Sequence, residues 1–322
     1  MAVSATQSIL VGVTDLNASL KLFRDVMRLR VEWQAPASPS LLHAWGVAAG
    51  VSAQLAELSC NGYPVGRLRL AEFSPTPSVR VRSDFGPHAI DSPLDVGPKA
   101  IDFYVSDPIG PSLEAVVAAG YPARSAPRKH QIGESISEEV VISGPDDVPM
   151  LLMVGHRHRA TSLRPGSPDG PFSEIATASI ICGDLAASRL FYGERLGLVP
   201  VNDAETPIAY RSLVNDLVDA PRDTRVHFLL YAQPGEASGK ILLIHFHDSP
   251  AKRLIGCMRP GRLGFSLLSH HVANVDELHA SFQRDKAPVV KAPATVATPT
   301  GQRRLMLVRG PNEELFEFSA PA

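Results

Sequence analysis

His245 and His247 stand two apart in GKILLIHFHDSP (Gly239–Pro250), at the end of an otherwise apolar run. Side chains alternate faces along a strand, so both point to one side, shared with Ile241 and Leu243. Imidazole is the usual proton shuttle near neutral pH and also a common metal ligand. His227, in RVHFLLY, is a third histidine on a strand-like run. Glu317 stands between Phe316 and Phe318 in LFEF, where alternation puts both rings on one face and a half-buried carboxylate on the other. Burial raises a carboxyl pKa, which suits acid–base work. These residues pose a choice between a metal site, a proton-transfer site and an ordinary strand end.

The chain around them has 322 residues, enough for two domains with real cores. Hydrophobic residues make up 44% and charged residues 20%, and the formal net charge is −2. That balance argues against nucleic acid as a partner. Three separated cysteines, Cys60, Cys182 and Cys257, give neither a disulfide framework nor a cysteine zinc site. The opening MAVSATQSILVGV lacks the basic and apolar regions of a signal peptide or membrane span, so a cytoplasmic protein is expected. The chain contains no P-loop, G-x-S-x-G elbow or H-E-x-x-H.

The sequence repeats itself. DLNASLKLFRDVMRLRV begins at Asp15 and DLAASRLFYGERLGLVP at Asp184, an offset of 169. Each follows a short apolar run and reads as strand, Asp N-cap, amphipathic helix. AIDFYVSDPIGPSLEAVVAAGYP (from Ala100) and LGFSLLSHHVANVDELHASFQRD (from Leu263) repeat the strand–helix pattern. GPDDVPMLLMV and GPNEELFEF match as turn plus last strand. Four strand–helix–strands units thus begin near residues 6, 98, 174 and 262. HRHRATSLRPGSPDGPF, rich in Pro, Gly and Arg, reads as the linker between halves.

These motifs resemble the vicinal oxygen chelate superfamily, the group of glyoxalase I, the extradiol dioxygenases and the bleomycin and fosfomycin resistance proteins. The resemblance implies an α+β fold of four βαβββ modules in two tandem halves, each a curved mixed sheet around a cavity. The halves are expected at residues 1–155 (modules near 6–75 and 98–155) and 173–322 (modules near 174–250 and 262–320), with a linker at 156–172. It also implies a small-molecule ligand, no membrane, and assembly either within one chain or as a homodimer. In the superfamily a divalent metal commonly sits in the cavity, held from the first and last strands of paired units.

Counting seven residues back from each helix cap, the first-strand ligand positions hold Ser8, Ala100, Thr177 and Leu267, with Asp107 and Asn274 as the caps of units two and four. None is a usual metal ligand. The last-strand positions hold Glu72, Leu151, His245 and Glu317. Three His or carboxylate ligands make an open catalytic site, and two are in place if units three and four pair. The expectation is therefore proton transfer without the usual metal, on a small carbonyl-bearing or phenolic molecule. His245 is the base and Glu317 its partner or the acid. Thr177, Tyr210, His227, His247, Leu267 and Glu72 are expected to line the ligand cavities. The alternatives are a metal-dependent extradiol-type dioxygenase or glyoxalase-like lyase, with iron, manganese, zinc or nickel on His245 and Glu317, and a non-catalytic drug-binding protein. His43 and Trp45 in LLHAWGV read as a strand face lining the first cavity, and one of His270 and His271 as reaching a cavity mouth.

Overall fold

The computed structural model describes residues 3–86, 89–157, 170–249 and 251–322. The linker stretch 158–169 lies outside them. Unit one comprises β1 (Thr6–Val13), α1 (Leu16–Leu20), β2 (Arg30–Pro36), α2 (Pro39–Ala44), β3 (Ser52–Ser59) and β4 (Arg67–Ser74). Unit two comprises β5 (Gly97–Val105), α3 (Ile109–Ala118), β6 (Arg128–Ile132), β7 (Ser135–Ser143) and β8 (Pro149–Arg157). Unit three comprises β9 (Phe172–Ile181), α4 (Leu185–Ser188), β10 (Val199–Glu205), α5 (Ile208–Val218), β11 (Val226–Ala232) and β12 (Lys240–Phe246). Unit four comprises β13 (Gly264–His271), α6 (Val275–Arg284), β14 (Val289–Thr298), β15 (Gly301–Arg309) and β16 (Leu315–Pro321).

The caps explain where the helices start. Asp15 accepts from the Ala18 N–H at 2.9 Å and Asp184 from the Ala187 N–H at 3.0 Å, so the repeated aspartates each satisfy an orphan donor. Asn274 does the same for Asp276 and Glu277. Unit two differs: Pro108, not Asp107, is the residue before α3, with no side-chain cap. The repeated helices also continue alike, α1 and α4 each running into a π-helical stretch, Lys21–Val26 and Arg189–Arg195. The LLHAWGV stretch folds as the end of α2 rather than as a strand, with Ser38 capping it through the Leu41 N–H.

Two eight-stranded mixed sheets form, ordered β14-β15-β16-β13-β1-β4-β3-β2 and β10-β11-β12-β9-β5-β8-β7-β6. The first joins units one and four through antiparallel β1 and β13; the second joins units two and three through β5 and β9. The α+β class, the four βαβββ units and the two mixed sheets are as expected. The partners are not, because units three and four do not share a sheet. The connections show why. The 75–96 and 247–263 segments, leading from unit one to two and from three to four, run beside each other, with Val81 N–H bonded to the Leu263 carbonyl and Val96 N–H to the Lys252 carbonyl. Both therefore cross from one sheet to the other together. All four units find sheet partners within the chain.

Between the sheets lies a shared core. Phe23, following α1, meets Phe103 of β5 with ring centroids 6.5 Å apart, and Phe191, following α4, meets Phe316 of β16 at 5.4 Å. Each ring belongs to one sheet's units and its neighbour to the other's, so the helix-bearing faces are welded by aromatic burial. The opposite faces of the sheets hold the cavities. Among the described residues no helix is long and apolar enough to cross a membrane.

Candidate functional site

The cavity of the second sheet, about 220 Å³, has an aliphatic wall and also encloses a group of ionisable side chains. Leu230 of β11, Leu242 and Ile244 of β12, Leu151 and Met153 of β8, and Val214 and Leu217 of α5 form its apolar wall. Strand alternation brings Ala100, Asp102 and Tyr104 of β5 onto the same wall, with Thr177 and Ser179 of β9 opposite. Asp102 is fully buried. The Ser179 hydroxyl donates to its Oδ2 at 2.7 Å, while Oδ1 is buried with no hydrogen-bond partner. Burial pushes the Asp102 carboxyl up to about 8, against the lowering effect of Ser179, and the negative charge of Glu139 adds to the rise. Asp102 is therefore a neutral acid at neutral pH.

His130 of β6 shares this cavity, its Nε2 lying 3.1 Å from Glu139 Oε2. Burial pulls the imidazole pKa down, but the Glu139 carboxylate outweighs it and leaves the net shift upward. Lys240 of β12 is buried with Nζ 3.4 Å from the Tyr104 hydroxyl, and desolvation lowers it to about 8. Lys99 is likewise lowered to about 8 by burial, although Asp84 accepts from it at 2.6 Å.

The first sheet's cavity, also about 220 Å³, is polar. Arg67, Arg69 and Arg303 face Glu57, Glu317 and His271 across it. Glu57 accepts from both Arg67 and Arg69, and these charges hold its carboxyl below the usual range despite burial. Glu317 accepts from the Trp45 indole at 2.7 Å and the Ser269 hydroxyl at 3.0 Å, with Arg69 at 3.8 Å.

His245 and Glu317 do not meet. Glu317 lies in the first sheet's cavity, and His245 belongs to the second sheet, on the face turned away from that sheet's cavity. Its Nδ1–H donates to the Cys182 carbonyl at 2.9 Å. The cause is register. Ser269 on β13 pairs with Glu317 on β16, whereas the matching residue Ser179 on β9 pairs with Leu242 on β12. His245 lies three residues beyond Leu242, an odd number, and so points the other way. Glu72 fails similarly: Arg69 lines the cavity and Glu72, three residues on, accepts from the Leu16 N–H at 2.8 Å at the start of α1.

Of the other expected residues, Thr177 lines the second sheet's cavity and Leu267 is packed in the core, its place at the first cavity taken by Ser269. Tyr210 lies on α5 but outside the cavity wall that Val214 and Leu217 supply. His227 and His247 sit with Asp203 and Glu205 at the end of the helix-bearing face of β10–β12, away from both sheet cavities, and His247 lines a separate pocket with His245 beside Cys182. His43 is exposed, His270 is buried against Phe316 and Phe318, and His271 is the one that reaches a cavity. Asp102 was missed. Its signal was present in AIDFYV, where a lone acid alternates onto one face with Ala100 and Tyr104.

Residues 174–318 match the model for the Glyoxalase/Bleomycin resistance protein/Dioxygenase superfamily. The whole architecture is similar to glyoxalase I from Zea mays, at a TM-score of 0.61 and 10% identity over 98% of this chain and 92% of that one. The match to the family model thus covers 145 residues of the C-terminal half, and the fold of the whole chain is the one these structures share. A putative dioxygenase from Bacillus subtilis is similar too, at a TM-score of 0.54 and 13% identity, over 99% and 85% of the two chains. No curated protein matches the sequence.

The superfamily's metal position does not fit these residues. Ser8, Arg69, Ser269 and Glu317 occupy the facing strands of one cavity, and Asp102, Leu151, Ser179 and Leu242 those of the other. Each set has one carboxylate and no histidine. Among the described residues, three His, Cys or carboxylate donors within 4.8 Å of one another occur at Glu205, His227 and His247, outside both cavities.

Proposed function

We propose that the chain is an enzyme that moves a proton on a small carbonyl-bearing or phenolic molecule, as an isomerase or lyase, in the cavity between units two and three. The observation that carries this reading is Asp102: a fully buried carboxyl, raised to about 8, with Oδ1 lacking a partner inside a largely apolar pocket. A carboxylic acid kept neutral can donate a hydrogen bond, and then a proton, to a carbonyl or phenolate oxygen. His130, held by Glu139, supports the complementary role of base toward the neighbouring carbon or hydroxyl. The aliphatic wall fits a compact apolar body and excludes water, which strengthens both interactions.

The aliphatic lining also supports a second reading, a binding protein that sequesters such molecules without turnover. One experiment separates them. A panel of small ketones, aldehydes and phenols is screened by thermal shift, and hits are assayed for proton exchange or conversion with wild type, Asp102→Asn and His130→Gln. The enzyme reading expects both variants to lose roughly 100-fold or more in kcat, with affinity within a few fold. Unchanged turnover in both would sink it, and binding with no turnover by wild type would leave the sequestering protein.

A further inference from the structure

We infer that the helix-bearing face of the second sheet carries, at its exposed end on β10–β12, a transition-metal site built from Glu205, His227 and His247, separate from the cavity on the sheet's other side. Three neighbouring strands supply it. Glu205 ends β10, His227 pairs with His245 across β11 and β12, and His247 follows β12. One donor atom from each lies within 4.8 Å of the other two. Phe228 and Leu230 of β11, and Leu242 and Ile244 of β12, face the cavity, so the odd-numbered residues lie on the other face. There Leu229, Tyr231, Ile241 and Leu243 are buried in the shared core, and His227 and His247 stand beyond them at the strand ends, partly exposed.

The surroundings suit an ion. His247 Nε2 is 3.2 Å from Glu205 Oε1, and His227 Nε2 is 2.5 Å from Asp203 Oδ1, so each imidazole already has a carboxylate beside it. His227 and His247 side chains are only 15% and 24% exposed, so their rings are held by packing while still reachable. The His247 ring also meets His245 edge-on, with centroids 4.9 Å apart, and His245 is itself anchored on Cys182. Zinc–nitrogen bonds of about 2.0–2.1 Å place the donors of a tetrahedral ion roughly 3.4 Å apart. Donors within 4.8 Å reach that by small side-chain rotations. Two imidazoles and a carboxylate select zinc, nickel or copper over magnesium or calcium, and leave a coordination position open. One competitor is present: Arg225 donates to Glu205 at 2.6 Å and must yield part of that contact when an ion binds.

The test is calorimetric titration of chelator-stripped, tag-free full-length protein with zinc chloride alone. The expected result is one ion per chain with micromolar or tighter affinity, weakened at least about tenfold in each of Glu205→Gln, His227→Gln and His247→Gln. Zinc should raise Tm for wild type and not for the His227→Gln/His247→Gln double variant, whose own Tm without metal shows that it is folded. Arg225→Gln should tighten binding by freeing Glu205. Absence of binding below millimolar zinc, or binding that the two histidine variants leave unchanged, overturns the site.

Discussion

Asp102 and Ser179 face each other across the seam where units two and three join, the Ser179 hydroxyl donating to the Asp102 carboxyl at 2.7 Å. The bond holds one oxygen and leaves the other buried without a partner. It also ties the acid's proton affinity to the pairing of two units that lie far apart in sequence.

The raised Asp102 pKa makes stability depend on pH. Below the unfolded value near 3.8 the carboxyl is protonated in both states. As pH rises toward about 8 the unfolded chain has lost a proton that the folded chain keeps, so stability falls across that window and levels off above it. Asp102→Asn removes this dependence. Its Tm relative to wild type should improve from pH 6 to pH 9.5, measured by calorimetry, and a constant difference would show that Asp102 is not desolvated.

Ser179→Ala deletes a hydrogen bond that lowers the Asp102 pKa. The variant should titrate Asp102 at higher pH and lose on the order of 1 kcal/mol in denaturant unfolding. Isotope-edited NMR of the aspartate carboxyls reads the first effect directly.

Glu57 is the hub of the other cavity, accepting from Arg67 and Arg69 while buried. Glu57→Gln should destabilise by roughly 3 kcal/mol, because it strips the nearer counter-charge from a mostly buried Arg69 and leaves only Glu317 at 3.8 Å. Its depressed pKa gives stability that is present above the unfolded value near 4.5 and lost as pH falls below it. Acid unfolding of wild type should therefore be steeper than that of the variant.

His245→Ala should leave ligand affinity in the second sheet's cavity unchanged, because His245 faces the other way and bonds to Cys182. Equilibrium binding of any thermal-shift hit checks this, and a tenfold loss would return His245 to the ligand site.

Local signals in the sequence carried far. Asp15 and Asp184 announced their helices because a capping side chain acts within three residues. Glu317 was found because its strand alternates cleanly between two phenylalanines. Pairing was beyond reach, since which units share a sheet depends on where two long connections cross, and no short pattern encodes that. His245 and Glu72 were misplaced for a single reason: aligning last strands by their aromatic–acid look shifted each by three residues, and an odd shift inverts a strand's faces. Asp102 was overlooked because its importance lies in what surrounds it, the Ser179 hydroxyl and an aliphatic wall drawn from three other strands and α5.

The crossed pairing of units also sets a timetable. During synthesis, units two and three can zip β5 to β9 while unit four is still unmade, so the sheet carrying Asp102 can close early. Unit one, first to leave the ribosome, has to keep the free edge of β1 unmatched until β13 arrives some 250 residues later. The first-made of the four units is thus the last to be completed, and a chain cut short before residue 264 would display an open β-edge with no partner.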